Sequence, residues 1–97
     1  MKDRVTVGVA GAGRALELHA FGYKRSNISV RLKTVMARRD EQINEAVERY
    51  GFEKGTNSYK DLLNDPEIDV IDICTPPYVH KEEIIQAMYA GKHVICE

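Results

Sequence analysis

The stretch Val5-Thr6-Val7-Gly8-Val9-Ala10-Gly11-Ala12-Gly13-Arg14 decides the fold. Its apolar run is continuous rather than alternating, as in a strand covered on both faces, and it breaks into glycines that open directly onto a helical pattern. Strand, tight turn and helix N-terminus, in that order, leave first-turn backbone N–H groups available to hold a pyrophosphate. Gly11-Ala12-Gly13 puts small residues where a phosphate must approach the backbone, Arg14 and Ala15 open the helix, and Gly8 leaves space beneath a packed helix. Leu16 stands where the dinucleotide fingerprint has its third glycine, which predicts a helix shifted outward from the sheet or a reduced affinity. Without phosphate chemistry the same spacing is a simple tight turn.

Downstream, strand-like and helix-like stretches alternate. Residues 14–24 carry apolar groups at Ala15, Leu18 and Gly22, with Leu16, Ala20 and Tyr23 alongside, and after a Ser26-Asn27 loop Val30 to Ala37 makes a second strand. Arg31 and Lys33 predict that the first half of that strand reaches an edge or an end. Asp40 takes the N-cap of a second helix with Ile43, Ala46, Val47 and Tyr50 on one face, and Gly51 is its left-handed stop. Phe52 to Asn57 leaves room for a brief third strand, Ser58 to Asp61 resembles a capping box opening a short helix, and Asn64 to Glu67 is a turn. Ile68 to Cys74 is a strand stopped by Thr75-Pro76-Pro77. Residues 79–90 then form a helix with Ile84, Ala87 and Met88 inward and Gly91 at its end, and Val94 to Cys96 is the last strand. The order predicts an α/β Rossmann-type, doubly wound parallel sheet, 3-2-1-4-5, with the glycine turn at its switch point. Residues 1–97 are one dinucleotide-binding domain.

A formal charge of −1, with 43% hydrophobic and 30% charged residues, lacks the basic excess that binds nucleic acid, so no nucleic-acid partner is expected. No segment approaches the roughly 20 apolar residues of a membrane span. The basic start, Met1 to Arg4, imitates a signal peptide only until the glycines, Arg14, Glu17 and His19 break the run, so the expected address is cytoplasmic. Cys74 and Cys96 read as buried strand thiols rather than disulfide or redox groups, and no metal site is expected.

At the end of the second strand, where an acid would bind ribose hydroxyls, Ala37 is followed by Arg38 and Arg39 before Asp40. Guanidinium groups there favour a 2′-phosphate and hence NADP over NAD, unless both are solvated at a strand end. His80 opens a helix whose dipole keeps its ring neutral, which suits a ribose or nicotinamide contact, although helix polarity alone explains it too. His19 and His93 read as packing or surface residues, with a place near the phosphates open to His19. Asp72, inside an apolar strand, needs a strand end or a donor, because unpartnered burial costs on the order of several kcal/mol. A structural partner is expected for it rather than catalysis.

Two further stretches carry a more specific pattern: Asp69-Val-Ile-Asp-Ile-Cys-Thr-Pro-Pro-Tyr-Val-His80 and Ala90-Gly-Lys-His-Val-Ile-Cys-Glu97. With Gly11-Ala12-Gly13-Arg14 and His19, they resemble the N-terminal domain of the glucose-fructose oxidoreductase / inositol dehydrogenase / MocA (Gfo/Idh/MocA) family, over essentially the whole chain. The resemblance implies that Thr75, Pro76 and His80 line the nicotinamide end of the cofactor. It implies that Glu97 is the acid of a Glu-Lys-Pro motif whose lysine assists proton transfer from a sugar or polyol during hydride transfer. That lysine falls beyond Glu97, so no catalytic residue is expected within the chain. A second domain that shapes the substrate pocket, and often the oligomer, is likewise implied and absent from these residues. The expected function is the cofactor domain of an NAD(P)-dependent oxidoreductase, inactive alone and part of a homo-oligomer. The alternative is a freestanding nucleotide-binding or sensing module without turnover.

Overall fold

The computed structural model of the chain describes residues 4–25 and 29–96; the Ser26-Asn27 loop and Glu97 fall outside them. The opening apolar run forms β1 (Val5–Ala10), and its glycines release the chain into α1 (Arg14–Arg25). There follow β2 (Val30–Met36), α2 (Asp40–Tyr50), β3 (Lys54–Thr56), α3 (Tyr59–Leu63), β4 (Val70–Ile73), α4 (His80–Tyr89) and β5 (His93–Cys96), with a 3-10 turn at Pro77–Val79 leading into α4. The strands pair in parallel in the order β3-β2-β1-β4-β5. This is the Rossmann sheet expected from the sequence, and it sets the C-terminal ends of β1 and β4 side by side at the switch point.

Side-chain alternation along the strands divides the core in two. On one face Val7, Val9, Val35 and Cys74 cluster with Leu16, Ala20 and Ala46; on the other Ala10, Ile71 and Ile73 cluster with Leu62 and Ala87. Leu16 stands between α1 and the sheet. It is fully buried in the first cluster, so its side chain fills the space that the fingerprint's glycine would clear. Clearance sits at Gly8 instead, where a Cβ would come 2.9 Å from Ile68 Cδ1 and 3.1 Å from Leu62 Cδ2 of α3.

Several local expectations change. Leu18 is 60% exposed, because α1 turns the stripe of Leu16, Ala20 and Tyr23 to the sheet. Met88 is 66% exposed: α4 faces the core with Ala87 and Ile84, which leaves Met88 outside with Ile85 and Tyr89. Cys96 lies exposed on the edge strand β5, whereas Cys74 is buried. The cap of α2 is Arg39 with extended backbone, so Asp40 is a first-turn acid that complements the helix dipole, not the N-cap. Gly51 does close α2 as predicted, at φ +80° with its N–H on the Val47 carbonyl. At α3 the capping role moves upstream: Ser58 makes no side-chain cap bond, and Thr56 instead donates to the Asp61 carboxylate and accepts the Ser58 N–H.

The charges in β2 fall at an edge, as expected. β3 pairs only with Thr34–Met36; beside the preceding stretch of β2 the Glu53 N–H donates to the Leu32 carbonyl at 3.2 Å, Arg31 meets Glu53 at 2.6 Å, and Lys33 meets Asp65 and Glu67 at 2.6 and 2.7 Å. Hydrogen bonds from Arg31 and Lys33 hold Glu53 and Glu67 below the usual carboxylate range. The pairs therefore stabilise above that range and are lost as pH falls through the lowered values. The half-exposed carboxylates of Glu53 and Glu67 keep the contribution of those two pairs small.

Candidate functional site

The site begins at Gly11, whose φ of +107° suits glycine alone. A Cβ there would lie 2.7 Å from the carbonyl carbon and oxygen of Cys74 and 2.9 Å from the Thr75 nitrogen, so the backbone leaving β1 runs directly against the backbone leaving β4. Gly11 N–H donates to the Met36 carbonyl at 2.8 Å and Cys74 N–H to the Ala10 carbonyl at 2.7 Å, which ties the ends of β2, β1 and β4 together. Over Gly13 the opposite holds: nothing lies within 4 Å of its Cβ position. A helix leaves its first-turn N–H groups without intrahelical partners, and the dipole of α1 favours an anion at that end.

A cleft of about 510 Å³ opens at this point. Of the sequence-predicted residues it brings together Gly11, Ala12, Gly13, Arg38, Thr75 and Pro76. Arg14 and Ala15 occupy the first turn of α1 behind Gly13, exposed and half-buried respectively. The arginine pair divides: Arg39 lines an adjoining depression of about 270 Å³ that shares Ala12, Gly13 and Gln42 with the cleft and runs between α1 and α2 to Glu17 and Arg49, while Arg38 lines the cleft itself. There Arg38 Nη2 donates to the Tyr78 hydroxyl at 3.3 Å, linking the end of β2 to the turn before α4.

His80 does not line the cleft. Its Nε2–H donates to the Thr75 carbonyl, and its Nδ1 lies 3.2 Å from Cys96 Sγ, so the ring braces the Thr75-Pro76 turn and ties it to β5. The Thr75 hydroxyl donates to the Glu83 carboxylate, and Tyr59 holds the Glu83 carbonyl at 2.8 Å. Burial pushes the Tyr59 hydroxyl well above its usual range, which keeps it a donor. Met36, Gln42, Val79 and Glu83 also line the cleft and were missed in the sequence. Their signal was positional: each sits at the carboxyl end of β2 or in the first turns that follow β2 and β4, which border the switch point in any such sheet.

The cleft thus combines the start of α1, a guanidinium at the end of β2 and a wall of Thr75, Pro76 and Glu83. Comparison with known proteins agrees with this layout. The family profile described as "Oxidoreductase family, NAD-binding Rossmann fold" matches residues 5–97. Levoglucosan dehydrogenase of Pseudarthrobacter phenanthrenivorans is 34% identical over 98% of this chain and 26% of its own length. A solved levoglucosan dehydrogenase in complex with NADH superposes with a TM-score of 0.89 at 33% identity, covering 96% of this chain and 27% of that one. Myo-inositol 2-dehydrogenase of Thermotoga maritima is 32% identical over 94% of this chain and 27% of its own length. A Synechocystis biliverdin reductase, solved with biliverdin and NADP+, superposes with a TM-score of 0.84 at 28% identity, covering 95% of this chain and 28% of that one. The chain spans about a quarter of the length of the curated relatives it matches. With a parallel 3-2-1-4-5 sheet, a glycine turn at its switch point and a family match from residue 5 to residue 97, the chain belongs to the Gfo/Idh/MocA oxidoreductases and carries their NAD-binding Rossmann fold.

Proposed function

We propose that this chain is the cofactor-binding domain of a cytoplasmic NAD(P)-dependent dehydrogenase that acts on a sugar, polyol or related carbonyl compound, and that it holds NADP(H) in preference to NAD(H). The observation that carries the reading is the Gly11 turn pressed against Cys74 and Thr75, with open space over Gly13 at the start of α1. A dinucleotide fits these residues: the space beside Gly13 is the room a phosphate needs, and the donors around it are backbone N–H groups and cations. Gly11, Ala12 and Gly13, with the N–H groups of Arg14 and Ala15, hold the pyrophosphate. Arg38 takes the adenosine side, with Arg39 close behind it. Thr75 and Pro76 form the wall at the nicotinamide end, His80 keeps the Thr75 carbonyl in place, and Glu97 follows β5. When bound, the nicotinamide supplies hydride chemistry. The names of the dehydrogenase relatives support the substrate class, and no helix among the described residues is long and apolar enough to cross a membrane.

The cofactor preference has a direct test. One charge-assisted contact to a 2′-phosphate contributes about 1.5–3 kcal/mol, or about ten- to a hundredfold in affinity. Titration of NADPH and NADH by nicotinamide fluorescence should show tighter binding of NADPH, lost selectively in Arg38→Ala. Equal affinities in the parent chain would remove the preference, and binding of neither cofactor would remove the dinucleotide reading itself.

Self-association belongs to the same proposal. Ile85, Met88 and Tyr89 form an exposed apolar outer face on α4, and β5 presents an unpaired edge among the described residues. Sedimentation at high micromolar concentration should resolve a dimer or larger species. A strictly monomeric boundary would count against it.

A further inference from the structure

Asp72 is fully buried in the middle of β4, between Val9 of β1 and Ile95 of β5. Two donors from one helix meet its carboxylate: His19 Nδ1 lies 2.8 Å from each oxygen, and the Tyr23 hydroxyl donates to Oδ2. Burial, reinforced by the bond to Asp72, pushes the Tyr23 hydroxyl far above its usual range, so it stays protonated and donating. His19 and Tyr23 stand one turn apart on α1, so the pair fixes both the rotation of the helix and its position along its own axis. Stability alone does not call for a carboxylate here. Replacing a buried polar cluster by well-packed apolar groups is often neutral or stabilising, so the use of this one is sought in the placement it enforces.

The place it enforces is the cofactor turn. Cys74, two residues on, just past the end of β4, has its Sγ 3.5 Å from Asp72 Oδ1, and its main chain is what Gly11 abuts. The start of α1 lies less than two turns before His19. With Leu16 filling the position of the fingerprint's third glycine, close glycine packing no longer sets where that helix start sits relative to the sheet. We infer that Asp72, His19 and Tyr23 are positioning residues for the dinucleotide: two donors one turn apart pin α1 to β4 and hold its N-terminus against the Gly11 turn. This deepens the cofactor reading above and rests on it. A site displaced by about 1 Å is present but loose, which is the fault the pin prevents.

The test compares the parent chain with His19→Asn, His19→Leu and Tyr23→Phe, by NADH titration and by hydrogen–deuterium exchange resolved along the chain. An asparagine amide nitrogen reproduces the place of the imidazole Nδ1, so His19→Asn keeps the donor while His19→Leu removes it. His19→Asn should stay within about threefold of the parent dissociation constant, whereas His19→Leu and Tyr23→Phe raise it about tenfold or more. In the latter two, exchange should quicken in the first turns of α1 while β1 and β4 keep their protection. Equal affinities for His19→Asn and His19→Leu would overturn the inference, as would faster exchange spread evenly over the sheet, the mark of a merely structural role. If His19→Leu does not fold, Tyr23→Phe decides alone by the same two readouts. A parent chain that binds no NADH sinks the cofactor reading, and the pin is then judged by exchange at α1.

Discussion

Gly11→Ala removes measurable dinucleotide binding and lowers the melting temperature by about 10 °C or more, since a domain of this size loses about 4–8 °C per kcal/mol. Two costs combine. An L-residue held at φ +107° is strained by about 1–3 kcal/mol, and its methyl group would meet the Cys74 carbonyl at 2.7 Å. The obstruction is backbone rather than the free end of a side chain, so relief requires β1 and β4 to part at the switch point. Affinity should fall more than about a hundredfold, because the helix start and the Thr75 wall would no longer face one cleft. Gly13→Ala is the control: open space surrounds that position, so the fold should tolerate the methyl group while the phosphate loses its room. Thermal melts with NADH titrations of both variants check this. An unchanged melting temperature for Gly11→Ala would show that the two loops can separate freely.

With either oxidised cofactor and a panel of sugars and polyols, the chain of 97 residues should turn over at background. Losing an acid–base group costs about 10²–10⁴ in rate, and losing substrate positioning costs more. The side chains around the Thr75-Pro76 turn are already engaged with one another. Glu83 accepts from the Thr75 hydroxyl, and His80 bridges the Thr75 carbonyl and Cys96. Reproducible turnover by the purified chain would overturn the expectation and direct attention to Glu83. A nucleotide-sensing module would be silent as well, so the reading frame past Glu97 separates the two: Lys-Pro and a long continuation support the dehydrogenase, a stop codon the module.

What could be read from the sequence was what neighbouring residues decide. The apolar run of β1, the glycine turn and the Gly51 stop rest on local backbone chemistry, and strict alternation of strand and helix leaves little freedom in sheet order. The family resemblance, carried by Thr75, Pro76, His80 and the flanking pattern, agrees with the match over residues 5–97. What escaped depends on tertiary neighbours. Leu18 and Met88 have the apolar character of core residues, and only the placement of α1 and α4 shows them facing outward. Arg38 and Arg39 are adjacent in sequence, yet Arg38 lines the cleft while Arg39, at the N-cap of α2, lines the adjoining depression beside α1. Asp72 was expected to need a donor, but its partners lie 53 and 49 residues away, beyond the reach of any local pattern.

The contact of Gly11 with Cys74 and Thr75 also dictates when the cleft can exist during folding. Its two walls, at Gly11 and at Cys74 and Thr75, lie far apart in sequence, so closing it requires a long loop to be ordered first, a slow kind of step that weighs on folding rate more than on final stability. On a ribosome, the glycine turn and α1 emerge before β4 and the Thr75 turn, and the second wall of the cleft is missing until those have followed. Competence to bind a dinucleotide therefore arrives late and together with the completed sheet, and a half-made domain captures no cofactor.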